Sequence, residues 1–373
     1  MRERELVRFL MECDKMKRLD DGPAYLFRFH NDQSFFRFAH LGLQHWSGVI
    51  IPSIHAFRYR FANPQSLLRQ FGELVSLERD DRIQLQFSMS VPAARNVLEQ
   101  SAQTKWPWGI DAVRAREAWR FTKGAGVRIA VIDTGIDPAH PDLRMCMQGG
   151  INLYSENVST NTIFDDNGHG THIAGTIAAS GESGLTGVAP KAEIYSVKAF
   201  DRNGTAYISD IIRAIEWCVE HKMHVINMSF GMQERSGALM AAVRSAERRG
   251  MLIVASAGNG GNRFVLDEPA RYATTLSVGA YNRQGNIASF SKQSAEVDVL
   301  APGEHILSCW LNGGYKHLNG SSMAAAHVSG ILALALAIRP KLQMEEVKRI
   351  VKASSSNKRV DAIAVIRALF HSV

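Results

Sequence analysis

Hydrophobic and polar positions follow two different rhythms along this chain. In AYLFRFH (24–30), Tyr25, Phe27 and Phe29 alternate with Leu26, Arg28 and His30, the period of two expected of a half-buried strand. Helical spacing follows over roughly 33–46, and GVIIPSIHAFRYRF (48–61) then reads as two short strands with Phe57, Tyr59 and Phe61 on one face. Asn63 and Pro64 supply an N-cap and a first helical residue for SLLRQFGEL (66–74), a pairing that suits a helix start. LVSLERDDRIQLQF (74–87) closes the set as a strand, so the order is β-α-β-β-α-β and the unit is small and α+β.

Residues 88–107 lose this rhythm and read as a linker with a short helix. Beyond them the strands become near-continuous apolar runs: VRIAVID (127–133), EIYSVKAF (193–200), HVINMSF (224–230), MLIVASAG (251–258) and TTLSVGAY (274–281). Amphipathic helices such as ISDIIRAIEWCVEHK (208–222) and SGALMAAVRSAERRG (236–250) lie between them. Apolar strands alternating with helices predict an α/β fold whose mostly parallel sheet is buried on both faces. No internal repeat interrupts the pattern.

Composition narrows the class. The 373 residues are 46% hydrophobic and 21% charged, a globular profile. The longest apolar run, ILALALAI (331–338), is short of the ~20 residues a membrane span needs. The net charge of +7 is spread over the chain, with 15 basic and 12 acidic residues in 1–105 and no basic run, so nucleic acid is not an expected partner. The N-terminus lacks the small-residue cleavage site of a leader, and Cys13, Cys146, Cys218 and Cys309 have neither disulfide-framework nor metal-ligand spacing. A cytoplasmic location is the expectation, with export without a recognisable leader as the alternative.

In an open α/β sheet, chemistry collects beyond the carboxyl ends of the strands. Asp133 ends one strand, where an acidic group needs a partner or a capping role. His169 lies in DDNGHGTHIAGTIAAS, with glycines at 168 and 170 leaving the imidazole sterically open and Gly175 allowing close helix packing. His169 and His172 have i,i+3 spacing, so metal ligation is an alternative, although no Glu stands between them and no cysteine is near. Ser322 opens the helix MAAAHVSGILALAL, where a serine is usually a cap; its N–H also lies at the positive end of the helix dipole, where an oxyanion would be held. Asn259, just past the end of MLIVASAG, offers a second donor. Acid, base and hydroxyl in this set match what nucleophilic catalysis requires.

On these motifs the sequence resembles the subtilisin-like serine peptidases, the subtilases. VIDTGIDPAHPDL is similar to the family's aspartate motif, NGHGTHIAGTIA to its histidine motif, SAGN to its oxyanion motif and GSSMAAAHV to GTSMAxPHV. GVAP (187–190), INMSFG (226–231) and ASFS (288–291) extend the likeness over about 107–373. The resemblance implies a three-layer subtilisin-like fold, catalytic Asp133, His169 and Ser322, an oxyanion hole of Asn259 and the Ser322 N–H, and an acyl-enzyme route for peptide hydrolysis. It implies polypeptide substrates, added as a strand beside Ser229, Phe230 and Gly231, with a P1 pocket lined by that segment and by Ala255, Ser256, Ala257 and Gly258. Small residues at 255–258 are expected to leave room for a bulky apolar P1 side chain.

The first region is similar to the family's I9-type propeptide, a ferredoxin-like unit that assists folding and then inhibits. The expected organisation is an extension at 1–22, the propeptide at 23–87, a linker at 88–106 holding the processing site, and a monomeric catalytic domain at 107–373. Two substitutions mark the nucleophile motif, Ala326 for proline and Ser321 for threonine; alanine suits a helix interior and Ser321 keeps the hydroxyl. No cofactor is needed for the chemistry. Structural calcium is open: AASGESGLTGVAP is about one residue shorter than the calcium loop of secreted subtilisins and lacks its asparagine pair, while Asp142 matches one carboxylate ligand. A non-catalytic binding protein plugged by its own N-terminal unit, and a metal-dependent hydrolase using His169, His172 and Asp133, are the rival readings.

Overall fold

The computed structural model describes residues 2–16, 23–41, 48–61, 64–85, 88–89, 106–154, 163–261 and 264–371. The expected linker at 88–106 and its processing site therefore fall almost wholly outside the described residues. The first elements are α1 (Arg2–Met16), β1 (Ala24–Phe29), α2 (Asp32–His40), β2 (Val49–Ile51), β3 (Ala56–Arg60), α3 (Pro64–Phe71) and β4 (Val75–Arg79). Their strands form an antiparallel sheet in the order β2-β3-β1-β4, so the β-α-β-β-α-β reading of this stretch matches the observed order. Phe27, Phe29, Phe57, Tyr59 and Phe61 share one face and pack with Phe35, Phe38, Leu67 and Phe71 from the two helices.

The stretch set apart at 1–22 holds α1, whose Leu6, Val7 and Leu10 are buried in that same cluster. Its apolar residues look scattered in sequence because a helix collects them at spacings of three and four. The second sheet face is partly buried. Leu26 and Ala56 join Ile51, Ile54, Ile83 and Leu85 in the core of the larger unit.

The larger unit holds β5 (Arg82–Gln84) and β6 (Ser88–Met89) on its edges, followed by α4 (Trp108–Ala112), α5 (Ala115–Ala118), β7 (Arg128–Asp133), β8 (Met147–Asn152), α6 (His169–Ala178) and β9 (Glu193–Lys198). Then come β10 (Thr205–Tyr207), α7 (Ile208–Glu220), β11 (Val225–Met228), α8 (Gly237–Glu247), β12 (Leu252–Ser256), β13 (Leu276–Tyr281) and β14 (Val299–Pro302). The hairpin β15 (Ile306–Cys309) and β16 (Tyr315–Asn319) precedes α9 (Ser321–Ile338), α10 (Met344–Ala353) and α11 (Ala362–His371).

Seven strands form one parallel sheet in the order β14-β13-β12-β11-β7-β9-β8. β11, β12 and β13 are buried at every residue, as helices on both faces require. From β7 the chain goes first to the edge strand β8, returns to fill the place between them with β9, then crosses to the other side and builds outward through β11 to β14. Strand order reverses between β7 and β11, the place where such sheets open a crevice at their carboxyl ends. α9 is apolar and long enough, by length and composition, to cross a membrane, yet it is 89% buried within the protein. It is the central core helix, and Ala326 lies inside it without a break.

Two carboxylates dock the first unit onto the second. Asp80 accepts from Ser209 N–H (2.9 Å) and Ser209 Oγ (2.8 Å) at the start of α7. Glu78 accepts from Ser236 Oγ and from Ala238 N–H (3.0 Å) at the start of α8. The first N–H groups of a helix have no intrahelical partner and sit at its positive end, so each carboxylate satisfies orphan donors from a separate chain segment. Beyond them, β5 pairs antiparallel with β10 and β6 with β16.

Candidate active site

Asp133 ends β7, and β11 lies beside it with Met228 in register with Ile132. The next residues, Ser229 and Asp133, are thereby neighbours on adjacent strands, which run about 4.8 Å apart. His169 is the first residue of α6, and its Nδ1 lies 2.7 Å from Asp133 Oδ1. A carboxylate only accepts, so Nδ1 carries the proton and Nε2 is the basic nitrogen. Ser322 Oγ donates to the Ser229 carbonyl at 2.8 Å. His169 and Asp133 are thus in direct contact at the switch point, and Ser322 is tied to the end of the neighbouring strand, all three buried.

Supporting bonds fix this arrangement. Asp165 is fully buried, and its carboxylate accepts from Thr134 Oγ1 (2.8 Å), Gly168 N–H (2.8 Å), Asn167 N–H (3.0 Å), Thr171 N–H (2.9 Å) and Thr171 Oγ1 (2.7 Å). It organises the loop that delivers His169, and Thr134 Oγ1 in turn accepts from Gly170 N–H at 3.0 Å. Asn227 donates to Ser229 Oγ (2.7 Å) and accepts from Ser329 Oγ (2.9 Å), tying β11 to α9 beneath the site. Sequence reasoning singled out none of Thr134, Asp165 or Asn227. An Asp three residues before Gly168 is a turn signal that points to Asp165; Asn227 carries no such signal within its apolar strand.

The cap reading of Ser322 does not hold. Gly320 is the N-cap of α9, with no side-chain capping bond, and Ser321 and Ser322 are the first two helical residues. The Ser322 N–H is one of the first-turn groups without an intrahelical acceptor. Asn259 Oδ1 accepts from Ser321 N–H (2.9 Å) and Ser321 Oγ (2.8 Å). Both are donors, so the amide oxygen faces Ser321 and the NH2 group is not used in these two bonds.

The pattern that defines the subtilase family matches residues 124–365. The chain belongs to the subtilase family. It is 37% identical over 296 residues to the thermostable alkaline protease of Halalkalibacterium halodurans, covering 78% of this chain and 80% of that one. It is 43% identical over 253 residues to subtilisin BL of Lederbergia lenta, 67% of this chain and 91% of that one. The intracellular serine protease of Paenibacillus polymyxa is 38% identical over 279 residues, 70% of this chain and 86% of that one. The protein is thus a subtilisin-like serine endopeptidase, and its chemistry needs no cofactor.

The glycines around His169 serve packing rather than openness. A Cβ on Gly168 would lie 2.4 Å from Trp310 Cζ2, and one on Gly170 would lie 2.0 Å from the Gly135 carbonyl oxygen. Gly175 does allow close packing, since a Cβ there would meet Ser308 Oγ at 2.5 Å. His172 is held through its Nε2, which lies 3.0 Å from both the Ile306 and Lys316 carbonyls, so that nitrogen carries a proton and donates to backbone instead of ligating a metal. Burial pushes His172 down to about 3, keeping it neutral.

Asp142, the one matching calcium ligand of the subtilase, is already satisfied. Its carboxylate accepts from Ser183 N–H (2.6 Å), Leu185 N–H (3.0 Å) and Tyr315 O–H (2.6 Å). His140 and Cys309 lie close by, but His140 Nδ1 accepts from Asp142 N–H (3.1 Å) and Nε2 faces the Gly314 carbonyl (2.9 Å). Three donors leave the carboxylate at most one lone pair, and the imidazole and thiol beside it are not oxygen ligands, so these residues fit calcium poorly. The short loop is instead pinned by hydrogen bonds.

Of the segments expected to line the P1 pocket, Ser229 is engaged by Asn227 and Ser322, while Phe230 packs on Phe200 with ring centroids 5.1 Å apart. Ser256 Oγ donates to the Phe230 carbonyl (3.3 Å), joining the two segments, and Ala255 and Ala257 are fully buried. Gly231 and Gly258 both face Asp267.

Proposed function

We propose that the protein hydrolyses peptide bonds with Ser322 as nucleophile, His169 as general base and Asp133 as its orienting carboxylate. The observation that carries this is the His169 Nδ1 to Asp133 bond beside a Ser322 hydroxyl held on the neighbouring strand end. With Nδ1–H committed to Asp133, Nε2 accepts the Ser322 proton once Oγ leaves the Ser229 carbonyl. Oγ then attacks the substrate carbonyl carbon, and negative charge grows on its oxygen. The Ser322 N–H and the Asn259 NH2 donate to that oxygen, a stabilisation realised mainly in the transition state. His169 passes its proton to the departing amine, and water repeats the sequence on the acyl-enzyme. The substrate main chain adds as a strand along Ser229, Phe230 and Gly231, and its uncharged, apolar P1 side chain enters between that segment and 255–258.

The first unit is read as a propeptide that holds the enzyme as a self-processing zymogen. Glu78 and Asp80 supply docking bonds, and β5 and β6 lie on the two sides of the site. β10 follows a turn joined to the His169 loop by Asn167 Nδ2 to Arg202 O (3.0 Å), while β16 runs directly into Ser321 and Ser322. Cleavage is proposed between residues 86 and 106. Every catalytic group comes from one chain, so a monomer suffices, and the likeness to an intracellular relative supports action in the cytoplasm.

Expression of the full chain beside Ser322→Ala tests the reading. N-terminal sequencing of the wild type is expected to find a product beginning within 87–106, and the variant is expected to stay at full length. Identical processing in both would remove self-cleavage.

A further inference from the structure

Between the two segments read as walls of the P1 pocket stands a buried ion pair. Lys292 Nζ lies 2.6 Å from Asp267 Oδ1 and 2.8 Å from the Val265 carbonyl, with side-chain exposures of 2% and 1% for Lys292 and Asp267. Asp267 is built into the walls: its N–H donates to the Ala257 carbonyl (3.3 Å), and the next residue, Glu268, pairs through its backbone with Met232. A Cβ on Gly231 would lie 2.6 Å from Asp267 Cβ, and one on Gly258 would lie 2.0 Å from Asp267 Oδ2 and 3.0 Å from Lys292 Cε. Lys292 is fixed likewise, its N–H donating to the Gly258 carbonyl at 3.2 Å. The glycines leave room, and these two side chains take it.

We propose that the Asp267–Lys292 pair is the floor of the P1 pocket and sets its specificity. The inference rests on the reading of 229–231 and 255–258 as the walls. A floor raised by two side chains shortens the pocket, so alanine-sized and valine-sized P1 residues fit and aromatic ones do not. The pair is neutral as a unit. Each partner cancels the charge that the other would present, so neither acidic nor basic P1 residues are drawn in. Because the pair is internally satisfied, a charged P1 side chain would have to break it, a repulsive element that discriminates as effectively as an attractive one.

Peptide substrates that differ only at P1, carrying Ala, Phe, Lys or Glu, test this with processed enzyme, Lys292→Met, Asp267→Asn and the double variant Asp267→Ser with Lys292→Met. Wild type is expected to favour Ala over Phe in kcat/KM by about tenfold or more, the scale of a mismatch in a closed pocket. Lys292→Met is expected to raise the Lys substrate relative to Ala, and Asp267→Asn to raise the Glu substrate. Should either single variant fail to fold with its charge left alone, the double variant decides: it carries no buried charge and is expected to raise Phe relative to Ala by about tenfold. A wild-type preference for Phe, or an unchanged P1 profile in the double variant, would overturn the proposal. Failure of the catalytic reading is a separate result, since wild type would then cleave none of the four peptides faster than Ser322→Ala.

Discussion

Ser321→Ala isolates the role of the second serine. In the folded protein Asn259 Oδ1 receives two bonds from Ser321, from N–H at 2.9 Å and from Oγ at 2.8 Å. The substitution removes the hydroxyl and leaves the backbone bond. One neutral hydrogen bond contributes about 1 kcal/mol net, and if it holds the amide in line with the developing oxyanion, kcat falls roughly fivefold. KM stays near the wild-type value, because the amide meets the oxygen chiefly in the transition state. Asn259→Ala loses the donor itself, an effect of about two to three orders of magnitude. Steady-state kinetics on one peptide substrate for both variants, the double variant and Ser321→Thr completes a cycle. Ser321→Thr keeps the hydroxyl and is expected to resemble wild type, and Ser321→Ala is expected to have no further effect once Asn259 is gone. A fivefold loss that persists in the Asn259→Ala background, or one that appears in KM alone, would refute the positioning role.

Buried histidines give a second expectation. Burial pushes His172 down to about 3 and His327 down to about 4, so both stay neutral in the fold while the unfolded chain protonates near 6.5. Their folded pKa lies below the unfolded one, so the stability they contribute is complete above pH 6.5 and is lost as pH falls toward 4. Near pH 5 each accounts for about 2 kcal/mol, and urea unfolding of Ser322→Ala at pH 7.5 and pH 5 should show that loss; an equal or higher midpoint at pH 5 would contradict it. The satisfied Asp142 carboxylate predicts that calcium and a chelator give the same melting temperature through this site, whereas Tyr315→Phe lowers it by removing one donor, about 1 kcal/mol or more. A calcium-dependent rise in melting temperature that Asp142→Asn abolishes would contradict the donor assignment.

Much of the fold follows from local patterns. All five apolar runs became strands of the central sheet because each is buried on both faces, and the period-two stretch at 24–30 became β1. β8, whose sequence is MQGGIN, carries no apolar run. It is an edge strand, where hydrophobicity is not demanded, and Gly150 is required because a Cβ would lie 1.8 Å from the Ser196 carbonyl oxygen. α1 was missed since its apolar residues are meaningful only on a helix. At the site, the polar residues that stand in glycine-rich or helix-start contexts were legible. Their supports were less so: Asp165 works mostly within its own loop and carries a local turn signal, whereas Asn227 and the Asp267–Lys292 pair depend on which distant segments the fold brings together.

Labelling by a serine-reactive fluorophosphonate, followed by mass spectrometry of the modified peptide, tests the central claim most directly. Processed wild type is expected to carry one label on Ser322, His169→Ala to label far more slowly, and Ser322→Ala to remain unlabelled. A label on Ser321, or equal labelling of Ser322→Ala and wild type, would contradict the account.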